Sequence, residues 1–428
     1  MMQIKNLHIE SYRHLKNITF DFTYPEGHAK FGQPLEKICI IGQSATGKTS
    51  ILELIKSSIS QMDSIEIING AAIFRHFQLY FKGQIEFRYN DDLIKLEEDR
   101  LSKNDKEYKN ISGGGGSVGK FISDGLKLLY LSSDIISKEA INIFNQNPLN
   151  ILTELSTEKY AGLQRIRDSD NYIYEFGQEV SQELWFSLLD KVLDYRKRFN
   201  QMASELLNKG MIGDLNKLHQ QYAKWAEINE NPLAAFANQF NPILNKLKLE
   251  IDLVNTEYSI PIKSKTNEQV IPISGLSTGT KGLLLAMFPL FELDTSDAIV
   301  LIDEPERSLF PDMQIDLMSH YQKLAPQAQI IVATHSPFIA AAFEPEERFI
   351  LYFDDQQEVA VRRGESPKGD DPNDMLRNDF NVDYYNDFGK QAYQKYLNLK
   401  MKAKQETELQ KKKELIIELA ELGDKYNF

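Results

Sequence analysis

"KICIIGQSATGKTSILELIKSSI", Lys37 to Ile59, decides how the chain is to be read. Lys37 to Ile41 is a short apolar, β-branched run of the kind a buried parallel strand uses, and Thr49 to Ile59 continues at helical spacing. Between them stand Gly42, Gln43, Ser44, Ala45, Thr46, Gly47, Lys48, Thr49 and Ser50. A loop that leaves a strand and enters a helix in this way aims backbone N–H groups at a phosphate. It adds a Lys for the β- and γ-phosphates and a hydroxyl for Mg²⁺. Lys48 and Thr49 fall at the helix N-terminus, where both are needed.

A second stretch makes the same claim. "GGGGSVGKF", Gly113 to Phe121, has Gly114, four residues, then Gly119 and Lys120. Phe121 stands where the hydroxyl should be, and the upstream "RLSKNDKEYKNI" is too charged for a buried strand. Four consecutive Gly followed by Ser are expected to form a flexible connector.

The chain has 428 residues, 42% of them hydrophobic, enough for a large core with an insertion or for two or three domains. Its single cysteine, Cys39, lies inside the predicted strand, so no disulfide can form within the chain. Cysteine usage of this kind fits a cytoplasmic protein. The richest apolar segment, "GLLLAMFPLFEL", is interrupted by Pro289, and neither a membrane span nor a signal peptide is expected. A net charge of −13 argues against a surface coated with Lys and Arg for nucleic acid, without excluding a local basic patch.

Strands are expected at "MMQIKNLHIESY", "KNITFDF", across Phe77 to Tyr89, and at "LKLLYLSSDI". From about 138 to 249 the sequence reads as helical and holds both tryptophans, Trp185 and Trp225. Strand signals return at "IDLV", "VIPI", "AIVLIDE", "AQIIVATH", "RFILYF" and "EVAVRR". The expected fold class is α/β, one head split by a helical insertion. Its parts are 1–135 with the phosphate loop, 136–255 as a helical lid or oligomerisation segment, 256–363 as the second lobe, and 364–428 as a helical tail.

The second lobe carries the chemistry. "AIVLIDEPE" places Asp303 and Glu304 at the C-terminal edge of a buried strand, where ligands sit in open α/β sheets. Asp303 suits holding Mg²⁺, and Glu304 suits orienting or deprotonating an attacking water. "LSTGTK" offers Ser277 and Gly279 at another helix N-terminus, a second anion site. One nucleotide does not need two such sites in one chain, which points to a nucleotide held by another subunit. In "IIVATHSPF", His335 ends a further apolar strand, able to hydrogen-bond a γ-phosphate.

With the phosphate loop, "LSTGTK", "LIDEPE" and "THSP" in this order, the chain resembles the ABC-type ATPases of the recombination and chromosome-maintenance group. That group includes the RecF, SMC-like and overcoming-lysogenization-defect (OLD) proteins. The resemblance covers about 1–135 and 255–363, and implies a P-loop ATPase head with a mixed sheet flanked by helices. It implies that ATP and Mg²⁺ are the cofactors, that Lys48 and Thr49 hold phosphate and metal, that Asp303 supports the metal, and that Glu304 is the general base. It further implies that His335 senses the γ-phosphate, that Arg13 of "SYRHLKNITFDF" approaches the nucleotide, and that Ser277 and Gly279 act across a homo-oligomer of ATP-sandwiched heads, a dimer or a higher even-numbered assembly. "ERSLFP" resembles the group's D-loop.

Ser44-Ala45 replaces the Asn-Gly common in these loops, Thr278 and Thr280 replace the Gly and Gln of transporters, and Ser132, Ser133 and Asp134 stand where a Gln often reaches the metal. Gln78 is a weaker candidate for that Gln. These departures bear on the hydrolysis rate, expected to be slow, more than on binding. The insertion is too short for long coiled-coil arms. Its "YRKRF", Tyr195 to Phe199, is a candidate for DNA contact, although at helical spacing such a run is commonly a solvated face. In the tail, Leu415, Leu419 and Leu422 recur as a docking stripe. A head of this size without arms looks like the sensor ATPases of anti-phage systems, such as PtuA and AriA, which control a separate nuclease or toxin subunit. A RecF-like DNA-repair ATPase and a slow ATP-locked scaffold are the alternative readings.

Overall fold

In chain order the strands of the computed structural model begin with β1 (Met2–Tyr12), β2 (Leu15–Asp21), β3 (Lys37–Gly42), β4 (Glu66–Ile68) and β5 (Ala71–Ile73). They continue with β6 (Lys82–Tyr89), β7 (Asp92–Glu97), β8 (Arg100–Lys103), β9 (Lys106–Tyr108), β10 (Val118–Lys120), β11 (Lys127–Leu131) and β12 (Tyr172–Phe176). The last are β13 (Leu249–Ile251), β14 (Ile262–Ser264), β15 (Val270–Ile271), β16 (Ile299–Asp303), β17 (Gln329–Thr334), β18 (Arg348–Phe353) and β19 (Val359–Arg363). The structure describes all residues except 69–70, 74–78, 99, 105, 109–117, 123–124, 155–165, 167–168, 170, 383–385 and 427–428. The run Gly113 to Ser117 and Gln78 lie outside the described residues.

The central sheet runs β12-β11-β16-β17-β3-β18-β19, parallel throughout except for the antiparallel β18–β19 pair. Its inner strands read as continuous apolar runs because helices or a second sheet cover both faces. A second, antiparallel sheet runs β2-β1-β6-β7-β8-β9. Alternation sends Ile38 and Ile40 of β3 into a core shared with Ile4, Leu7 and Ile9 of β1 and Ile51, Leu52 and Ile55 of the Lys48–Asp63 helix. Gln329, fully buried at the start of β17, ties the two sheets. Its Oε1 accepts from Ile4 N at 2.7 Å, and its Nε2 donates to Leu35 O at 2.7 Å and Ile4 O at 3.2 Å. A buried amide is tolerated there because each of its groups finds a backbone partner.

The segment 136–255, read as helical, contains β12, which pairs in parallel with β11 and forms the edge of the central sheet. Its alternation in "NYIYEF" is too short to stand out within a helical stretch. The helices of this segment pack onto the head. Trp185, fully buried, meets Phe176 of β12 at 5.1 Å and Phe144 at 5.4 Å, and both Phe144 and Phe236 meet Phe288 at 5.3 Å. Accordingly, 1–135, 136–255 and 256–363 all fall within one unit, Met1–Asp370, and a second unit, Asp371–Phe428, begins slightly later than the 364 expected. The Thr278–Glu292 helix continues through Pro289, and Leu293 N closes its end onto Pro289 O. Among the described residues, no helix is long and apolar enough to cross a membrane.

The second unit holds the helices Asp387–Gln405 and Leu409–Tyr426, paired antiparallel as a hairpin by Lys395–Glu418 at 3.1 Å and Phe388 against Tyr426. Leu415, Leu419 and Leu422 are half-buried within this unit, whereas Ile416 and Ile417 are exposed.

Candidate functional site

Three neighbouring parallel strands, β16, β17 and β3, end at one sheet edge, and each delivers part of the site. β3 ends at Gly42, the chain curves through Ala45 (φ 66°) and Gly47 (φ 93°), and the Lys48–Asp63 helix begins. Gly47 is required by its φ, and a Cβ there would also stand 2.9 Å from Leu15 Cδ2. The helix start has neither a side-chain cap nor an acidic residue in its first turn, so its N–H groups and positive dipole end face the loop uncompensated. Within the loop, Thr46 Oγ1 donates to Gln43 O at 2.8 Å, and Lys48 Nζ donates to Gly42 O and Gln43 O, both at 2.9 Å. Burial lowers the Lys48 pKa to about 8, against the pull of the Glu304, Asp303 and Glu306 carboxylates. A buried ammonium held only by main-chain carbonyls is available to a stronger, anionic acceptor.

β16 supplies the carboxylates. Thr49 Oγ1 donates to Asp303 at 2.9 and 3.2 Å, joining the helix start to the strand end. Burial raises the Asp303 pKa to about 6, with the Thr49 hydrogen bond working against it. Glu304 adopts a left-handed backbone (φ 49°), with its N–H on Ala333 O at 2.9 Å, and this turns its half-exposed carboxylate along the sheet edge. There it lies 3.7 Å from Nε2 of His335, which follows β17. Burial lowers the His335 pKa, Lys48 adds to that, and Glu304 opposes it. The imidazole is therefore neutral at physiological pH, able to donate one hydrogen bond without bringing a charge.

Glu306 escaped the sequence reading. Its Oε1 accepts from His335 N at 2.7 Å, and burial raises its pKa. It straps the end of β16 to the end of β17, and so fixes how far Glu304 stands from His335. The third carboxylate of "IDEPE" was visible as a residue, but only the crossing from one strand end to the next reveals its partner. Arg307 was likewise unassigned. It donates to Ser133 O at 2.9 Å and pairs with Asp134, so these two residues after β11 anchor the turn behind Glu304.

The other candidates divide. Arg13 (φ 53°), between β1 and β2, donates to Ser50 Oγ at 2.8 Å and pairs with Glu53 at 2.8 Å, on the flank of the phosphate-loop helix. Ser277 caps its own helix, accepting from Thr280 N at 3.3 Å and lying 2.7 Å from Thr280 Oγ1. Gly279 lets that helix close on the turn after Glu304, since a Cβ there would stand 2.2 Å from Ser308 O. Thr278 and Gly279 line a cavity of about 260 Å³ together with Asp303, Glu304 and Arg307, whereas Gly42 to Thr49 do not line it. In "YRKRF", Arg196 is buried and donates to Asn255 O at 2.7 Å, and Arg198 pairs with Asp194 at 2.7 Å and with Asn229. Of the three charges there, Arg196 is engaged inside the protein, whereas Lys197 and Arg198 are exposed.

Known proteins bear on this geometry. The head domain of Smc from Pyrococcus furiosus, with an extended coiled coil and bound to the C-terminal domain of ScpA, is similar at 14% identity, covering 85% of this chain and 96% of that one, with a TM-score of 0.38. An Smc head bound to the C-winged helix domain of ScpA matches at 12% identity over 84% of this chain and 97% of that one, TM-score 0.40. The SMC head domain from Thermotoga maritima matches at 12% identity over 85% and 100%, TM-score 0.38. Likeness this loose transfers no residue roles. The family described as AAA ATPase domain matches residues 120–340, a span that contains Ser277, Gly279, Asp303, Glu304 and His335 and begins after the phosphate loop. That match takes in just over half of the sequence, and the chain belongs to the AAA ATPase domain family.

Proposed function

We propose that this ATPase binds ATP with Mg²⁺ at the edge formed by β3, β17 and β16, closes head to head on a second copy, and hydrolyses the nucleotide slowly. The observation that carries the reading is the convergence of Lys48, Thr49, Asp303, Glu304 and His335 on three adjacent strand ends. Lys48 exchanges its two carbonyl partners for the β- and γ-phosphates, and the N–H groups from Gln43 to Ser50 cradle them. Thr49 and Asp303 fit Mg²⁺, being a hydroxyl and a buried carboxylate already within 2.9 Å of each other, the hard oxygen donors this ion takes. Mg²⁺ held there neutralises phosphate charge. Glu304 takes the proton of the attacking water, and His335 donates from its neutral ring to the γ-phosphate.

Ser277 and Gly279 serve the nucleotide of the second copy. Support comes from Ser277 and Thr278, exposed at this helix start while Gly279 is buried beside Ser308, and from Phe310 and Ile315, 74% and 57% exposed just beyond the turn that Gly279 touches. Apolar groups that large beside a site are suited to burial against another head. Closure then follows ATP, because the γ-phosphate contacts exist only between closed heads. On the resemblance of its four motifs to the sensor ATPases of anti-phage systems, the assembly acts as a scaffold that restrains or loads a separate nuclease or toxin.

Native mass spectrometry of Glu304→Gln, purified from its own host in ATP and Mg²⁺, tests both levels. A paired-head oligomer carrying ATP and a stoichiometric second polypeptide is expected. A bare ATP-loaded dimer would keep the switch and remove the effector, sending the question to DNA-stimulated hydrolysis, and a nucleotide-free monomer would remove both.

A further inference from the structure

Charge in the second unit is segregated in a way that the stability of its helices does not explain. From Lys390 to Lys413 the sequence holds eight lysines against Glu406 and Glu408, a net +6 within a chain of net −13. The hairpin brings Lys402, Lys404, Lys411, Lys412 and Lys413 to its closed end, where the helix Asp387–Gln405 stops and Leu409–Tyr426 starts, whereas Lys390 and Lys395 lie toward the open end. Lys402 and Lys404 lie in the last turn of the first helix, a position its dipole favours. Lys411, Lys412 and Lys413 lie at the start of the second helix, where the dipole disfavours cations. The acids Glu418, Glu421 and Asp424 lie in its C-terminal half, with Lys425 beside Asp424 in the last turn. Cations at the start of the second helix are the part of this arrangement that helix stability does not select.

The two acids of the turn do not cancel the cluster. Glu406 is taken up by the N–H groups of Thr407 and Glu408, both at 2.9 Å, and Glu408 by Lys411 at 2.6 Å. Lys400 lies over the Tyr396 ring. Lys402, Lys404, Lys412 and Lys413 form no ion pair among the described residues, and all but the half-buried Lys412 are exposed. Five lysines, Lys402, Lys404, Lys411, Lys412 and Lys413, against the two acids Glu406 and Glu408 leave this hairpin end with a net +3, and a polyanion relieves the remaining repulsion.

We propose that the closed end of the Asp387–Tyr426 hairpin binds the phosphate backbone of nucleic acid without sequence preference. Lysines act as point charges toward phosphates spaced along a strand, whereas arginine forks, which read guanine edges, are absent from Lys390 to Lys413. Tyr393 and Tyr396 stack on each other, with ring centroids 6.3 Å apart, which leaves backbone charge as the feature to be read. An anionic membrane surface is the poorer fit. On the second helix, Glu414, Glu418 and Glu421 recur at i, i+4 and i+7, so the polar face of that helix is acidic where a membrane-surface helix carries Lys and Arg.

The inference is independent of the ATP site. The test measures full-length protein against a fluorescein-labelled DNA duplex of random sequence by anisotropy, in parallel with co-sedimentation on phosphatidylserine vesicles. With four phosphates neutralised, affinity should fall about 150-fold between about 50 and 200 mM salt. The variant K402Q/K404Q/K412Q/K413Q should lose most of the low-salt affinity and most of that salt slope while its ATP hydrolysis without DNA stays unchanged. K412E/K413E should also lose binding while melting no lower than the parent, because it places anions at a helix start. Duplex binding that neither set of changes reduces, no duplex binding at low salt, or a loss confined to vesicles would each overturn the proposal.

Discussion

Lys48 and Lys120 each follow a glycine at the end of a similar pattern, and the fold treats them oppositely. Lys48 opens a helix at the end of a parallel strand, is buried, and points its ammonium at the carbonyls of its own loop. Lys120 sits within β10, which pairs antiparallel with β4, and reaches Asp63 at 3.2 Å from a half-exposed position. Thr49 then offers a hydroxyl to Asp303, while Phe121 is buried in the core. The difference lies in where the backbone N–H groups go. A helix start leaves them without partners, free for phosphate, whereas a strand ladder spends them on its neighbour. Spacing of Gly and Lys does not specify a phosphate site until the secondary structure on each side is known.

Glu304→Gln should produce the largest effect around Lys48, cutting steady-state hydrolysis by about 10²–10⁴-fold, the range for losing a general base, while ATP binding measured by calorimetry persists. If turnover survives, the base lies elsewhere along the edge. Lys48→Ala removes charged hydrogen bonds worth about 1.5–3 kcal/mol, so ATP affinity should drop by roughly 10–150-fold. An unchanged dissociation constant would place Lys48 on the same footing as Lys120.

Smaller effects sharpen the comparison. Glu306→Ala should lower turnover by about tenfold with little change in ATP affinity, since it frees the His335 N–H, and Glu306→Gln should restore much of the loss by keeping an acceptor. Equal losses in both variants would mean that the charge of Glu306, not its hydrogen bond, is what the site uses. Gly279→Val puts a side chain against Ser308 O and should cost about 1–3 kcal/mol in thermal unfolding. Lys120→Ala breaks one exposed pair and should stay within about 0.5 kcal/mol of the parent, with ATP binding intact.

Much of the head was legible in the sequence because its inner strands are buried on both faces. "KICII", "AIVLID" and "QIIVAT" have no polar side to disguise them, and the residues that follow them had to lie at one edge of an α/β sheet. β12 was not legible, since "YIYEF" alternates for too few residues to compete with the helical pattern around it. The apolar run broken by Pro289 forms a helix that continues through the proline without the ladder bond residue 289 would give Leu285 O, and among the described residues no helix is long and apolar enough to cross a membrane. In "YRKRF" the residue types suggested a nucleic-acid contact or a solvated face, and the structure buries Arg196 while leaving Lys197 and Arg198 exposed.

Local patterns alone determined the strand and helix at Lys37 to Ile59, the order of the motifs, and which residues carry charge or hydroxyls, because hydrophobic period and residue chemistry are properties of short segments. Tertiary structure alone decided that Glu306 crosses to His335, that Arg307 is anchored at Ser133 and Asp134, and that Lys402 and Lys404 come to the same hairpin end as Lys412 and Lys413. Those are placements of residues remote in sequence or on different elements, and they are set by strand order and helix pairing, which no single segment encodes.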